Sequence, residues 1–249
     1  MTKLSVNVNK VALLRNSRRG TVPSIVAAAR TALDAGAAGI TVHPRPDERH
    51  IRPADVDEIA AMLNESPYRD REFNIEGNPF LGQYVAIARK TRPTQCTLVP
   101  DDPDQATSDH GWDATANRDR LRPVVAELQA MGCRVSLFMD PDRAMIEAVP
   151  RTGADRIELY TESYAVAHAA GGRELDRIFA QFAGAAAKAQ ELGLGVNAGH
   201  DLNLANLSRF VAISGIAEVS IGHALIADAL DLGLATAVGA YLRALDGIV

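Results

Sequence analysis

The sequence predicts a single (β/α)8 barrel (the TIM-barrel architecture), in which eight parallel strands alternate with helices. Two observations predict it. One unit recurs along the chain: an Ala- and Leu-rich helical stretch, a glycine, a short β-branched run and a polar residue. Five copies of this unit and three further strand-like runs give eight strands within 249 residues, a length typical of a one-domain barrel. We therefore predict one catalytic domain over residues 1–249, with extra short helices and loops.

The recurring unit is plainest in DAGAAGITVH, which ends at His43, and in RTGADRIELY, which carries Glu158. A glycine before each run is what a helix C-terminus favours, because glycine enters the left-handed region without a Cβ penalty. The runs that follow are short and rich in apolar residues, as expected of strands covered on both faces. The glycines are Gly36, Gly132, Gly153, Gly193 and Gly215.

The other three strands are predicted over residues 4–9, 73–77 and 95–100, and helices over 23–35, 53–63, 175–192 and 224–245. Strands that alternate with helices indicate parallel pairing. The competing architecture is a doubly wound open sheet, which usually has a glycine-rich turn after its first strand. The segment VNVNKVALLRN has no such turn, so the barrel is favoured.

Composition excludes several classes of partner. The net charge is −5 and no Lys/Arg run forms a phosphate-backbone stripe, so nucleic acid is not an expected partner. No apolar run reaches the ~18 residues of a membrane span, and MTKLSVNVNK lacks the apolar core of a signal peptide. Cys96 and Cys133 lie in apolar contexts without metal-site spacing and are predicted to be buried thiols. We expect a cytoplasmic protein.

Two connections are long for barrel loops: PDDPDQATSDHGWD after the fourth strand and TESYAVAHAAGGR after the sixth. Loops of this length in a compact domain are usually functional and often act as lids. Their histidines, His110 and His168, are predicted to be solvated, and Trp112 to pack its loop.

Polar residues close the predicted strands, at the face where such barrels carry out catalysis. Histidine and glutamate in a closed site suit proton transfer, because their pKa values can lie near neutrality. The same ring could hold a divalent metal, although Arg15, Arg18 and Arg45 would repel a cation and suit a phosphate. The strand-end set is Asn7, Asn9, His43, Arg45, Glu76, Glu158, His200, Gly222 and His223, with Thr107 in a loop.

The segment SIGHALIADAL is a candidate phosphate site, because a strand ends at Gly222 and a helix is predicted to begin shortly afterwards. Free backbone N–H groups and the helix dipole would both face an anion there. Phosphate sites in these barrels often use the last two loops.

The segments VNVNKVALLRNSRRG, ITVHPRPDERHI, FNIEG, CTLVPD, RIELYTESYA, VNAGHDLN and SIGHALI occur in that order. Over residues 4–245 the chain resembles the pyridoxine 5′-phosphate synthase (PdxJ) family, with the H-x-R-x-D-x-R-H-I block as the most specific motif. The resemblance implies a cofactor-free transferase that condenses 1-deoxy-D-xylulose 5-phosphate with 3-amino-2-oxopropyl phosphate. It also implies the products pyridoxine 5′-phosphate, phosphate and water, and a homo-oligomer, an octamer.

Residue roles also follow from the resemblance. His43 and Glu76 would accept protons, His200 would donate one, and Glu158 would stabilise a charged intermediate. The amino-ketone phosphate would be held by Asn7, Arg18, Asp201, Gly222 and His223. The pentulose phosphate would be held by Asn9, Lys10, Arg45, His50 and Thr107.

The sequence departs from the family pattern at two places: Asn9-Lys10 stands where Asp-His is common, and Asp201 where glycine is common. Lys10 could pair with phosphate or form an imine, and Asp201 adds a negative charge near a phosphate. Two alternative functions stay open. One is a metal-dependent sugar-phosphate isomerase or epimerase, which would contain stoichiometric metal. The other is a non-catalytic protein that binds phosphorylated B6 compounds without turnover.

Overall fold

The computed structural model describes residues 1–248, and within them eight parallel strands close into a barrel in sequence order, with β8 paired to β1. The predicted (β/α)8 fold is confirmed. The strands are β1 (Lys3–Asn7), β2 (Gly39–Val42), β3 (Glu72–Gly77), β4 (Gln95–Leu98), β5 (Arg134–Met139), β6 (Arg156–Tyr160), β7 (Gly195–His200) and β8 (Ile216–Ile221).

Helices surround the barrel, and a short 3-10 turn (Val149–Thr152) precedes β6. The helices are α1 (Asn9–Asn16), α2 (Ile25–Asp34), α3 (Pro53–Leu63), α4 (Tyr84–Thr91), α5 (Arg118–Ala130), α6 (Arg143–Ala148), α7 (Glu162–Ala170), α8 (Gly172–Glu191), α9 (Leu207–Phe210), α10 (His223–Leu232) and α11 (Leu234–Leu245). Within residues 1–248, none of these helices combines the length and apolar character that crossing a membrane requires.

The glycines of the recurring unit all have positive φ, from 78° at Gly193 to 107° at Gly36. Gly36, Gly132, Gly153 and Gly193 each follow the end of a helical segment as the sequence predicted, whereas Gly215 lies in the turn between α9 and β8. Cys96 and Cys133 are buried, and neither forms a disulfide within residues 1–248.

Several predicted boundaries were wrong. The fourth strand, predicted over 95–100, ends at Leu98. β1 ends at Asn7, and Asn9 already begins α1 rather than extending the strand. The predicted loop after β6 contains α7, which buries Tyr164 against Phe182 and Phe210. The predicted helix over 224–245 is two helices, because Gly233 (φ 78°) separates α10 from α11.

The barrel interior carries a polar ladder rather than a purely apolar filling. Ser5 and Thr41 place their hydroxyl oxygens 2.7 Å apart, and the Asn74 amide donates to Thr41 at 3.3 Å. The Thr97 hydroxyl in turn donates to the Asn74 carbonyl at 3.0 Å. These side chains come from four consecutive strands, so hydrogen bonds link β1 to β4 across the interior. The apolar core lies mainly between the strands and the helices.

The loop after β4 runs against the end of β5, where Gly111 lies against the backbone of Met139 and Asp140. Trp112 donates its backbone N–H to Phe138 and its indole N–H to the Leu98 carbonyl, both at 2.9 Å, so it packs the loop as predicted. His110 is exposed, as predicted, whereas His168 is half-buried beside Tyr164 and the prediction of a solvated side chain was wrong.

We expect Gly111→Ala to lower the free energy of unfolding by about 1–3 kcal/mol, the usual cost of overpacking. A Cβ at this position would meet backbone atoms of Met139 and Asp140, which cannot move away as a flexible side chain can. Urea unfolding measures the change. The matched control is Gly184→Ala in α8, where the nearest atom lies 4.0 Å away and alanine should stabilise the helix by about 0.5–1 kcal/mol. Equal effects of the two substitutions would contradict the prediction.

Candidate active site

A cavity of about 320 Å³ opens at the carboxyl ends of the strands, where the sequence placed the site. Every predicted site residue except Arg18 lines it. These are Asn7, Asn9, Lys10, His43, Arg45, His50, Glu76, Thr107, Glu158, His200, Asp201, Gly222 and His223. Arg18 is exposed in the segment after α1 and lies outside this lining.

Sequence reasoning missed part of the lining: Leu13, Arg49, Val99, Ala106, Ser108, Phe138 and Ser220. Arg49 lies in the same HPRPDERHI block as His43 and could have been found there. Ala106 and Ser108 flank Thr107. The apolar members carry no chemical signature that would separate them from core residues.

His43 and Glu76 form the centre of the site, at the ends of β2 and β3. His43 Nδ1 lies 3.9 Å from Glu76 Oε2, and the Asn7 amide donates to that same oxygen at 3.3 Å. Asn9 accepts the His43 backbone N–H at 2.9 Å, while its own N–H donates to the Asn7 side chain at 3.0 Å. Asn7 and Asn9 thus fix both members of the pair.

Burial shifts both members of the pair towards their neutral forms. Burial, reinforced by Asp101, raises the pKa of Glu76 to about 8. Burial, reinforced by the positive charge of Arg45, lowers the pKa of His43 well below its ordinary value. The 3.9 Å contact is therefore not an ion pair at neutral pH, since His43 is a neutral acceptor beside a largely protonated Glu76.

His50 stacks edge-on against His43, with ring centroids 6.0 Å apart. Burial and the charge of Arg45 lower the pKa of His50 to about 4. At neutral pH His50 is therefore uncharged and would contact a phosphate through an N–H donor rather than as a cation.

Glu158 lies deeper, on β6, and is 3% exposed. Its Oε2 has no hydrogen-bond partner among residues 1–248. Burial, with the neighbouring Glu76, raises its pKa well above the ordinary value. A positive charge that forms in the cavity would favour its ionised form, because an opposite charge nearby lowers a carboxyl pKa.

Two arginines tie the loop after β4 to the site. Buried Arg45 pairs with Asp101 and donates to the Gln105 carbonyl, and Ser108 donates to the same Asp101 carboxylate at 2.8 Å. Arg49 donates to the carbonyls of Pro103 at 3.0 Å and Gln105 at 2.7 Å. The loop that carries Thr107 is thereby held over the cavity.

Arg15 pairs with Asp55 and does not line the cavity. Its guanidinium forms a buried bidentate pair with Asp55 and also donates to the His50 carbonyl at 3.3 Å. The sequence suggested that Arg15 could suit a phosphate, but this pairing gives it a structural role that orders the segment before α3.

The last βα connection has the geometry expected of an anion site. α10 begins at His223, directly after Gly222, and both residues line the cavity. A Cβ on Gly222 would lie 3.1–3.2 Å from Asn7, so glycine permits the close approach of β1 and this turn. The first-turn N–H groups and the dipole of a ten-residue helix favour a negatively charged group.

Within residues 1–248, no three His, Cys, Asp or Glu side chains are arranged to hold a metal ion.

The barrel fold itself is widely shared. It is similar to 3-hexulose-6-phosphate synthase (TM-score 0.64, 16% identity, 98% of this chain and 100% of that one). It is also similar to phosphoribosyl anthranilate isomerase from Thermotoga maritima (TM-score 0.60, 11% identity, 99% of this chain and 100% of that one). At 11–16% sequence identity, the similarity to these two structures shows the fold alone.

Sequence comparison is far more specific. A pyridoxine 5′-phosphate synthase from Albidiferax ferrireducens is 56% identical over 247 residues, covering 97% of this chain and 96% of its own length. A protein of the same name from Christiangramia forsetii is 51% identical, covering 98% of this chain and all of its own. The family model described as pyridoxal phosphate biosynthesis protein PdxJ matches residues 4–247. The chain belongs to the PdxJ family.

Proposed function

We propose that this chain is a pyridoxine 5′-phosphate synthase. In the proposed reaction, 1-deoxy-D-xylulose 5-phosphate and 3-amino-2-oxopropyl phosphate condense to pyridoxine 5′-phosphate, phosphate and water, which makes the enzyme a transferase. The observation that carries the proposal is the buried His43–Glu76 pair at the mouth of the barrel, in a chain whose curated relatives bear this name.

The reaction requires repeated proton movements at adjacent carbon, nitrogen and oxygen atoms. His43 is neutral, so it accepts a proton directly, and Glu76 accepts one in its ionised form. We assign proton donation to His200, on the opposite side of the barrel mouth at the end of β7. Glu158, beneath them, would stabilise a cationic intermediate such as a protonated imine.

Two phosphorylated substrates call for two sets of donors. Lys10, Arg45, His50 and Thr107 lie with Asn9 on the β1–β2 side of the cavity and under the loop after β4, where we place the pentulose phosphate. Gly222 and His223, with Asn7, lie at the start of α10, where we place the amino-ketone phosphate. Arg18 stays a sequence prediction, because this cavity does not include it.

The test is direct. Purified protein mixed with both substrates should form pyridoxine 5′-phosphate, followed by its absorbance and by chromatography. A folded barrel that makes no product would overturn the proposal. Tight binding without turnover would favour the B6-binding alternative, and rim-bound stoichiometric Zn, Mn or Co would favour the isomerase alternative.

A homo-oligomer, an octamer by family resemblance, is part of the proposal. Leu13 and Leu14 of α1 and Leu230 and Leu232 of α10 are exposed, and α1 contacts α10. Exposed leucines on adjoining elements suit burial against another subunit. Light scattering on the purified protein gives the subunit number, and a monomer would contradict this part of the proposal. The cytoplasmic location also stays a proposal.

The pKa of Glu76 predicts how turnover and stability depend on pH. Because the proton acceptor is the ionised form, kcat/KM should rise as pH increases through about 8. The free energy of unfolding should instead decrease as pH increases over this range. The folded-state pKa lies above the ordinary value of 4.5, so the contribution of Glu76 is fully present below pH 4.5 and is lost as pH rises through about 8.

Urea unfolding of wild type and Glu76→Gln at pH 5 and pH 9 measures this linkage. The variant should gain stability relative to wild type on going from the lower to the higher pH. A difference between the two proteins that does not change with pH would show that Glu76 has its ordinary pKa.

A further inference from the structure

His200 is held on three sides where β7 ends. Its Nδ1 lies 2.7 Å from Asp201 Oδ2, and its Nε2 lies 2.9 Å from the Thr107 hydroxyl. The Tyr160 ring stands edge-on at 5.0 Å with an interplanar angle of 89°. His200 also has a positive φ of 98°, a conformation that non-glycine residues keep only where the surroundings impose it. The orientation of the ring is therefore fixed, as well as its position.

The contact with Asp201 determines which ring nitrogen of His200 carries the proton of the neutral imidazole. The hydrogen bond with His200 holds the pKa of Asp201 below its ordinary value. An ionised carboxylate only accepts hydrogen bonds, so the shared proton belongs to Nδ1. In the neutral imidazole, Nε2 then carries the lone pair and accepts from the Thr107 hydroxyl. Thr107 and His200 both line the cavity, so Nε2 is the nitrogen placed towards a substrate.

We propose that Asp201 is a positioning residue that acts through His200, holding Nδ1–H and thereby dedicating Nε2 to proton transfer. The inference rests on the proposed function and gives Asp201 a different role from the substrate contact implied by the family resemblance. In the step itself, the Nε2–H bond of the imidazolium breaks as an O–H bond forms on a departing hydroxyl. The C–O bond breaks with its electron pair on that oxygen and water leaves, while a proton lost from the neighbouring carbon to one of the acceptors supplies the electrons of a new C=C bond. The neutral imidazole keeps its Nδ1 proton, hydrogen-bonded to Asp201.

The surroundings support this assignment. The Asn206 side chain donates to the Asp201 carbonyl at 3.2 Å, which fixes the backbone that presents the carboxylate. The Tyr160 hydroxyl donates to Glu162 at 2.8 Å, so its proton is not available to the imidazole. The negative charge of Asp201 is directed at the His200 ring, which removes the conflict that a carboxylate near a bound phosphate would otherwise create.

Asp201→Ala and Asp201→Asn in the full chain test the proposal. We expect kcat to fall about 10- to 100-fold in Asp201→Ala, with the KM of both substrates within about twofold of wild type, because orientation is lost while binding is kept. The kcat of Asp201→Asn should lie between those of wild type and Asp201→Ala, since an amide oxygen still accepts Nδ1–H. Asp231→Asn, on the exposed side of α10, is the matched control and should leave both parameters unchanged.

The second readout does not depend on activity. Nitrogen-15 NMR of histidine-labelled protein should show His200 protonated at Nδ1 in wild type and shifted towards the Nε2–H tautomer in Asp201→Ala, assigned with His200→Gln. A raised KM with unchanged kcat would overturn the proposal in favour of a substrate contact. An unchanged tautomer in Asp201→Ala would overturn it outright. A wild-type protein without turnover would instead reject the proposed function, and the NMR comparison would still decide whether Asp201 sets the tautomer.

Discussion

Replacing Glu76 by glutamine should lower kcat about 10²- to 10⁴-fold, the usual contribution of a general base. Glutamine keeps the size of the side chain and an oxygen that can accept from the Asn7 amide, now 3.3 Å from Glu76. The glutamine amide, however, cannot accept a proton at neutral pH. Substrate binding should therefore persist while turnover is lost.

The measurement is kcat from steady-state assays together with substrate affinity from calorimetry. Glu58→Gln on the exposed face of α3 is the matched control, since it makes the same side-chain replacement outside the cavity. Near-normal turnover in Glu76→Gln would remove Glu76 from the mechanism. Lost affinity with unchanged kcat would make it a binding residue.

Replacing Asp55 by alanine should lower the free energy of unfolding by about 3–5 kcal/mol. The substitution leaves Arg15 as a buried guanidinium without its carboxylate, at a site where both side chains are less than 10% exposed. It also removes the acceptor for the Arg52 backbone N–H, 2.8 Å from Asp55 Oδ2, at the start of α3.

Urea unfolding of Asp55→Ala, Arg15→Ala and the double variant separates these effects. The double variant should be less destabilised than the sum of the single ones, because each single change strands a buried charge. Glu174→Ala is the matched control: its pair with Arg177 is exposed and screened by solvent, so its loss should destabilise the protein far less than loss of the buried pair. A loss in Asp55→Ala no larger than this control would show that the pair is not a stabilising element.

The location of the site was predictable for a geometric reason. In a closed parallel barrel every strand ends at the same mouth, so side chains as distant in sequence as Asn7 and His223 converge once the strands are assigned. The strands were assigned from the glycines and β-branched runs, which are local signals.

What the sequence did not predict depends on long-range pairing. Nothing in the local pattern couples Arg45 to Asp101, which are 56 residues apart, or Arg15 to Asp55, which are 40 apart. The segment that forms α7 has only two large apolar residues, Tyr164 and Val166. Its helix is stabilised by packing of Tyr164 against aromatic side chains of α8 and α9. The strength of the Glu76 pKa shift also depends on burial, which a sequence does not display.

The arginines at the mouth of the barrel serve two purposes at once. Arg45 and Arg49 hold the loop after β4 through its carboxylate and carbonyl oxygens, and the same guanidiniums face the space where we place a substrate phosphate. An attempt to alter substrate preference by changing Arg45 would therefore also release Asp101, whose Oδ1 already has no hydrogen-bond partner among residues 1–248. Substrate specificity and the order of the loop after β4 therefore depend on the same two arginines. A redesign of either arginine has to include the loop residues that it contacts.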